Sequence, residues 1–173
     1  MFCKSVAVLA VFSLATLAGC GRPAPAAAVN SIGPTDAEIP VIMNGPTQFV
    51  QVTADDSMHF NGNRFTVKTG QPVRVELTNN GHRPSTEMAH NFVILKPDAN
   101  LVAFNLLSAQ AKADDYVPPE QMDAIIAHTN GLAGPGQTVV AEFTAPTPGQ
   151  YPFLCNFPGH YAAGMHGIMT VTP

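Results

Sequence analysis

The chain is poor in charge. Eight Lys and Arg stand against twelve Asp and Glu in 173 residues, 12% of the sequence with a formal net charge of −4. Nothing in that balance makes a basic surface, so nucleic acid is excluded as a partner. Hydrophobic residues reach 46%, which excludes a disordered or heavily solvated chain. Long apolar runs are lacking too: the one extended run, Val6 to Leu17, is too short to span a bilayer comfortably. Cysteine is scarce, with three in all, and no repeat period is visible.

The beginning, "MFCKSVAVLAVFSLATLAGC", has one cation (Lys4), the apolar run and then small residues, the shape of a secretory signal peptide. "LAGC", Leu17 to Cys20, resembles a bacterial lipoprotein box. That resemblance implies cleavage after residue 19 and a lipid on the Cys20 thiol; an ordinary signal with a coincidental cysteine is the alternative. Residues 20–45, rich in Pro, Ala and Gly and without periodicity, read as the lipidated cysteine and a flexible tether. Residues 46–173 form the exported domain, which retains a single thiol, Cys155. In an oxidising compartment a lone cysteine is reactive, paired between molecules or occupied, and bound metal is a natural occupant.

From Gln48 onward, short alternating segments are separated by turn residues: "QFVQVTA", "RFTVK", "PVRVELT", "HNFVILK", "TVVAEFT", "GQYPFLC" and "GIMTVT". This pattern predicts an all-β antiparallel sandwich or barrel, with Phe49 on the alternating face of the first segment. Between Lys96 and Gly136 the pattern turns helical. Asp98 is expected to cap a helix carrying Leu101, Phe104 and Leu107. "PPEQMDAIIAHTNG" is expected to form a second, with Met122, Ile125 and Ile126 on one face and a stop at Asn130-Gly131. A small helical flap inserted in a β-domain follows, with Asp114, Asp115, Glu120 and Asp123 on its solvated face.

The chemistry concentrates in "CNFPGHYAAGM". Cys155, His160 and Met165 follow a Cys-x4-His-x4-Met spacing, and Pro158, Gly159 and Gly164 supply turns that can curl the loop around one centre. A fourth donor must come from elsewhere, and His90, at the start of "HNFVILK", is the best candidate. Two imidazoles, a thiolate and a thioether describe a blue-copper centre; zinc prefers a fourth donor other than methionine. Protein donors fill every position, leaving none for a substrate or water. One-electron transfer, with no small-molecule substrate and no enzymatic step, is therefore expected. Three rivals remain: a Cys155–His160 nucleophilic dyad, a periplasmic copper-binding carrier, and a copper oxidase or nitrite reductase. The first lacks a visible third group and leaves Met165 unexplained. The second favours exchangeable ligands, and the third needs more histidines and more domains.

With "MAHNFVIL", "IAHT" and "CNFPGHYAAGM" in view, residues 48–173 resemble the azurin branch of the cupredoxins. The four residues between His160 and Met165, where azurins have three, and the 65-residue separation of His90 from Cys155 make the loop similar to that of auracyanins. The resemblance implies a Greek-key β-sandwich with a helical flap. It implies one type 1 copper per chain on His90, Cys155, His160 and Met165. It also implies an extracytoplasmic electron carrier whose redox protein partners dock near His160, on Phe157, Pro158, Tyr161, Ala162 and Ala163. Asn91 matches the asparagine that ties the two ligand segments together, and Ala89 stands where azurins place a glycine. The azurin disulfide has no cysteines here. His59, His82, His128 and His166 are expected at surface or structural positions, with His128 under the flap. The expected location is the periplasm or cell surface, held to a membrane through Cys20.

Overall fold

In the computed structural model, residues 36–173 are described. The signal peptide, Cys20 and the tether up to Thr35 lie outside the described residues. Two sheets face each other. One contains β1 (Val41–Asn44), β2 (Thr47–Ala54), β4 (Pro72–Asn79) and β7 (Thr138–Thr144), adjacent in that order. The other runs β3 (Arg64–Lys68), β9 (His166–Thr172), β8 (Gly149–Leu154), β5 (Val93–Leu95) and β6 (Ile125–His128). This is the Greek-key-like sandwich that the strand pattern and the resemblance pointed to, with one difference. The pairings β2–β4 and β3–β9 are parallel, so the sheets are mixed and not wholly antiparallel. The turn at Gly70 carries the chain from β3 in one sheet to β4 in the other.

Alternation sets which side chains enter the core, since successive residues of a strand point to opposite faces. On β2 the buried positions are Gln48, Val50, Val52 and Ala54, while Phe49 lies on the half-buried outer face. Phe49 thus shares a face with its alternate positions Gln51 and Thr53, and that face is the outer one. Gln48 is accommodated because its side chain bonds both the Lys68 carbonyl (3.1 Å) and the Lys68 N–H (2.7 Å). Part of the segment read as tether also packs on the sandwich. Ile39 is fully buried and Val41–Asn44 pairs with β2, so the folded body takes in residues before 46.

Beneath the start of β5 and the end of β8 lies a cluster of phenylalanines. Phe92 stacks on Phe153 (4.6 Å between centroids, 25°), with Phe60 and Phe65 against them. The opposite face of the same strands is covered as well: Val93, Leu95 and Leu154 are buried with Phe104 and Val117 of the flap. A strand covered on both sides reads as an unbroken apolar run, which is why "FVIL" shows no alternation.

The flap is less helical than expected. Its α-helix, α1 (Leu101–Ser108), is capped by Asn100, whose Oδ1 accepts the Ala103 N–H at 3.0 Å; Asp98 lies too far upstream. Phe104 is buried, and Leu101 and Leu107 are half-buried, as the periodicity required. The second expected helix is a 3-10 turn, Pro119–Ala124, followed directly by β6. Two adjacent β-branched residues, Ile125 and Ile126, meet the free edge of β5 there, and pairing with it outweighs the helical pattern. The acidic residues Asp114, Asp115, Glu120 and Asp123 are exposed.

Candidate metal centre

Two strands and one loop bring the candidate residues together. His90 precedes β5, and its backbone is locked by two hydrogen bonds with Ala133, N–H to O at 3.1 Å and back at 2.7 Å. Cys155 follows β8, continuing the alternation that points Phe153 into the core. The loop beyond it curls back through a ladder of main-chain bonds. His160 N–H donates to the Phe157 carbonyl (3.1 Å), Met165 N–H to the His160 carbonyl (3.0 Å) and Cys155 N–H to the Met165 carbonyl (3.0 Å). Gly159 and Gly164 take the left-handed conformation, at φ +87° and +97°, which permits so tight a return.

The side chains converge. Cys155 Sγ lies 4.0 Å from His90 Nδ1 and 3.4 Å from His160 Nδ1, and the three donor atoms all lie within 4.8 Å of one another. The imidazole centroids are 4.9 Å apart. His90, Cys155, His160 and Met165 are all buried, none more than 2% exposed. Asn91 crosses between the two ligand segments. Its Oδ1 accepts the Asn156 N–H at 2.7 Å, and its Nδ2 donates to the Asp115 carbonyl at 2.8 Å. The residue therefore ties both segments to the flap as well as to each other.

Burial sets the protonation of the cluster. It pushes the Cys155 thiol up to about 12, against the opposing pull of the Asn91 and Phe157 backbone N–H groups. It pushes both imidazoles down to about 4, with the neighbouring His90 adding to the fall at His160. The Asp55 carbonyl opposes the fall at His90, yet His90 Nε2 is buried without a completed hydrogen bond. At neutral pH the cluster is thus two neutral imidazoles and a neutral thiol, all buried. Neutral imidazole is the metal-binding form, and a bound cation lowers a thiol's pKa by stabilising thiolate. The donor set, two nitrogens and one sulfur with a buried thioether residue beside them, fits a single borderline-to-soft ion.

A nucleophilic dyad does not fit. Cys155 and His160 are close enough, but the thiol is fully buried with its pKa raised, the reverse of a reactive cysteine. The other histidines stand apart from the cluster. His82 is exposed, and His59 is half-buried. His128, on β6, lies 2.9 Å from the Thr129 carbonyl through Nδ1, and His166 packs on Tyr161 at 5.1 Å. Sequence reasoning missed Ala133 as the backbone partner of His90 and Thr129 as the support of β5. Thr129 Oγ1 accepts the Phe92 N–H at 3.2 Å and donates to Gly131. "IAHT" had marked that segment, with the threonine and not the histidine as the working residue.

A buried His/Cys/His cluster at one end of a two-sheet Greek-key sandwich defines a cupredoxin. Residues 47–172 match the family of copper binding proteins that contains plastocyanin and azurin, and the chain belongs to that family. It is 33% identical over 135 residues to auracyanin-B of Chloroflexus aurantiacus, covering 77% of this chain and 56% of that protein. It is 34% identical over 118 residues to azurin of Alcaligenes faecalis, covering 65% of this chain and 90% of the azurin. The fold is similar to that of dithionite-reduced auracyanin from Roseiflexus castenholzii: TM-score 0.64, 34% identity, 76% of this chain and all of that one. It is also similar to auracyanin A of Chloroflexus aurantiacus, described as a "blue" copper protein, with TM-score 0.65 and 29% identity. That match covers 73% of this chain and 99% of the other. The chain thus spans little more than half the length of auracyanin-B.

Proposed function

We propose that His90, Cys155, His160 and Met165 hold one copper ion, and that the protein is an extracytoplasmic one-electron carrier between redox partners of a membrane-associated chain. The observation that carries this reading is the pair of imidazole Nδ1 atoms at 4.0 and 3.4 Å from a buried Cys155 Sγ. Copper bound there supplies exchange of one electron between Cu(I) and Cu(II). The residues do the rest. Burial keeps water from the donors, and the main-chain ladder from Phe157 to Met165 holds their spacing. Asn91 keeps the His90 and Cys155 segments from moving apart. A carrier that releases copper is less well served, because all four residues are buried and braced.

Partners dock on the surface over His160, where Pro158, Gly159 and Ala162 are exposed and Tyr161 is half-exposed. Export follows from the leader, and a lipid on Cys20 holds the protein to a membrane. The test is the colour of the Cu(II)-loaded protein. An intense visible thiolate-to-copper band supports the reading, and the band should vanish in Cys155→Ser. A band that survives that substitution refutes the ligand set.

A further inference from the structure

Residues 36–40 do more than enter the fold: they fix the end of the sandwich from which the chain leaves. Glu38 bridges Arg64 in parallel, Ile39 N–H donates to the Arg64 carbonyl (2.8 Å), and the Ala37 carbonyl accepts the Asn63 N–H (2.9 Å). Arg64 also pairs with Asp36. The Asn63 carbonyl in turn accepts the Ile168 N–H at 2.9 Å, and Arg64 stands opposite Ile168 in the β3–β9 register. The contact is tight. A Cβ on Gly167 would meet the Asn63 carbonyl oxygen at 2.1 Å, and one on Gly62 would meet the Ala37 carbonyl oxygen at 2.6 Å. Ile168 is two residues beyond His166, which adjoins Met165. Glu38, midway along the strap, therefore lies two strand widths (roughly 10 Å) across and roughly 7 Å along from the end of the ligand loop, and the strap starts nearer to that end still. The C-terminus lies at the other end, where Thr172 pairs with Lys68 and exposed Pro173 ends a strand roughly 20 Å long.

A second observation concerns charge. Residues 143–173, which include the whole ligand loop, contain no Asp, Glu, Lys or Arg. The ligand loop itself thus supplies no steering charge, the charges nearest Phe157 being one of each sign, Lys112 and Asp115, and association with little steering is slow. Tethering can replace steering by raising effective concentration.

We infer that the strap presents the His160 face toward the anchoring membrane, so that the partner it fits is a redox protein embedded in that same membrane. This rests on the proposed lipid at Cys20. It rests as well on the tether read from the sequence of residues 21–35: a coil of that length would have an r.m.s. reach of roughly 20 Å, similar to the separation of the two ends of the sandwich. The end from which it leaves thus decides which end samples the bilayer surface.

The test uses copper-loaded full chain, matured in a bacterial host, on phosphatidylethanolamine/phosphatidylglycerol vesicles carrying nitroxide-labelled headgroups. The reference lacks residues 1–20 and carries after Pro173 a Gly/Ser tether of the same length ending in a cysteine, whose thiol adds to a maleimide-lipid while Cys155 stays buried. Cu(II) should enhance headgroup relaxation severalfold more in the N-terminally anchored protein, with the Cu(I) form as blank. Equal enhancement, or more from the C-terminal anchor, overturns the orientation. Host-made chain that does not bind vesicles overturns the anchor; maleimide-lipid on Cys20 then still reads the orientation. A colourless preparation refutes the copper reading alone, and a nitroxide at Ala162→Cys replaces copper in the same comparison.

Discussion

Asn91 Oδ1 accepts the Asn156 backbone N–H at 2.7 Å, joining the residue after His90 to the residue after Cys155 across 65 positions of sequence. One buried side chain thereby fixes the distance between two donors that lie on different segments. Asn91→Ala leaves the Asn156 N–H and the Asp115 carbonyl without this partner in a buried setting, at a cost of about 1–3 kcal/mol. Copper affinity should fall about 10–100-fold, as for other groups that hold metal ligands in place. Thermal melting and competitive copper titration check the two effects separately.

The cluster's protonation predicts a proton count. With the thiol near 12 and both imidazoles near 4, copper uptake at pH 7 to 8 displaces about one proton per ion, from Cys155. Calorimetric titration in two buffers of different ionisation enthalpy reads that number. Release of two or more protons would mean that the imidazoles are charged in the apoprotein.

The same values shape apoprotein stability. Folded imidazoles near 4 lie below the ordinary histidine value of 6.5, so on acidification the unfolded chain takes up protons first. That stability is complete above about pH 6.5 and is lost as pH falls toward 4. At the alkaline side the raised thiol acts in the opposite sense, and its contribution is lost as pH rises above 9. Melting temperature of the apoprotein should therefore form a plateau between these limits, and a maximum at pH 5 would contradict it.

Phe153 stacks on Phe92 two residues before Cys155. Phe153→Ala opens a cavity beneath the site and should cost about 3–5 kcal/mol, read by urea unfolding. Because Phe92 stands two residues after His90, the copper spectrum should broaden as well.

The exposed Ala162 tests the docking face. Ala162→Asp places a charge where residues 143–173 have none, so electron exchange with partners should slow while the visible band stays unchanged. An unchanged exchange rate moves the port elsewhere.

Much of this centre was legible because its chemistry is local. Cys155, His160 and Met165 lie within one loop, and no ordinary core needs that trio. His90 was found by its place before an apolar strand. The supports were harder to see, since Ala133 acts through its backbone and Asp115 through its carbonyl; side-chain identity says nothing of either. The helical pattern around Ile125 misled because it ignored the open edge of β5, and alternation alone left open which face of β2 would be the core face. The strap at residues 36–40 hid in a proline- and alanine-rich segment, where only Ile39 signals burial.

The central claim meets its most direct test in anaerobic titration of the apoprotein with Cu(II), followed by visible and EPR spectra. Saturation at one copper per chain is expected, with an intense thiolate-to-copper band and the narrow parallel hyperfine splitting of a type 1 centre. A weak band with ordinary tetragonal copper splitting would contradict it.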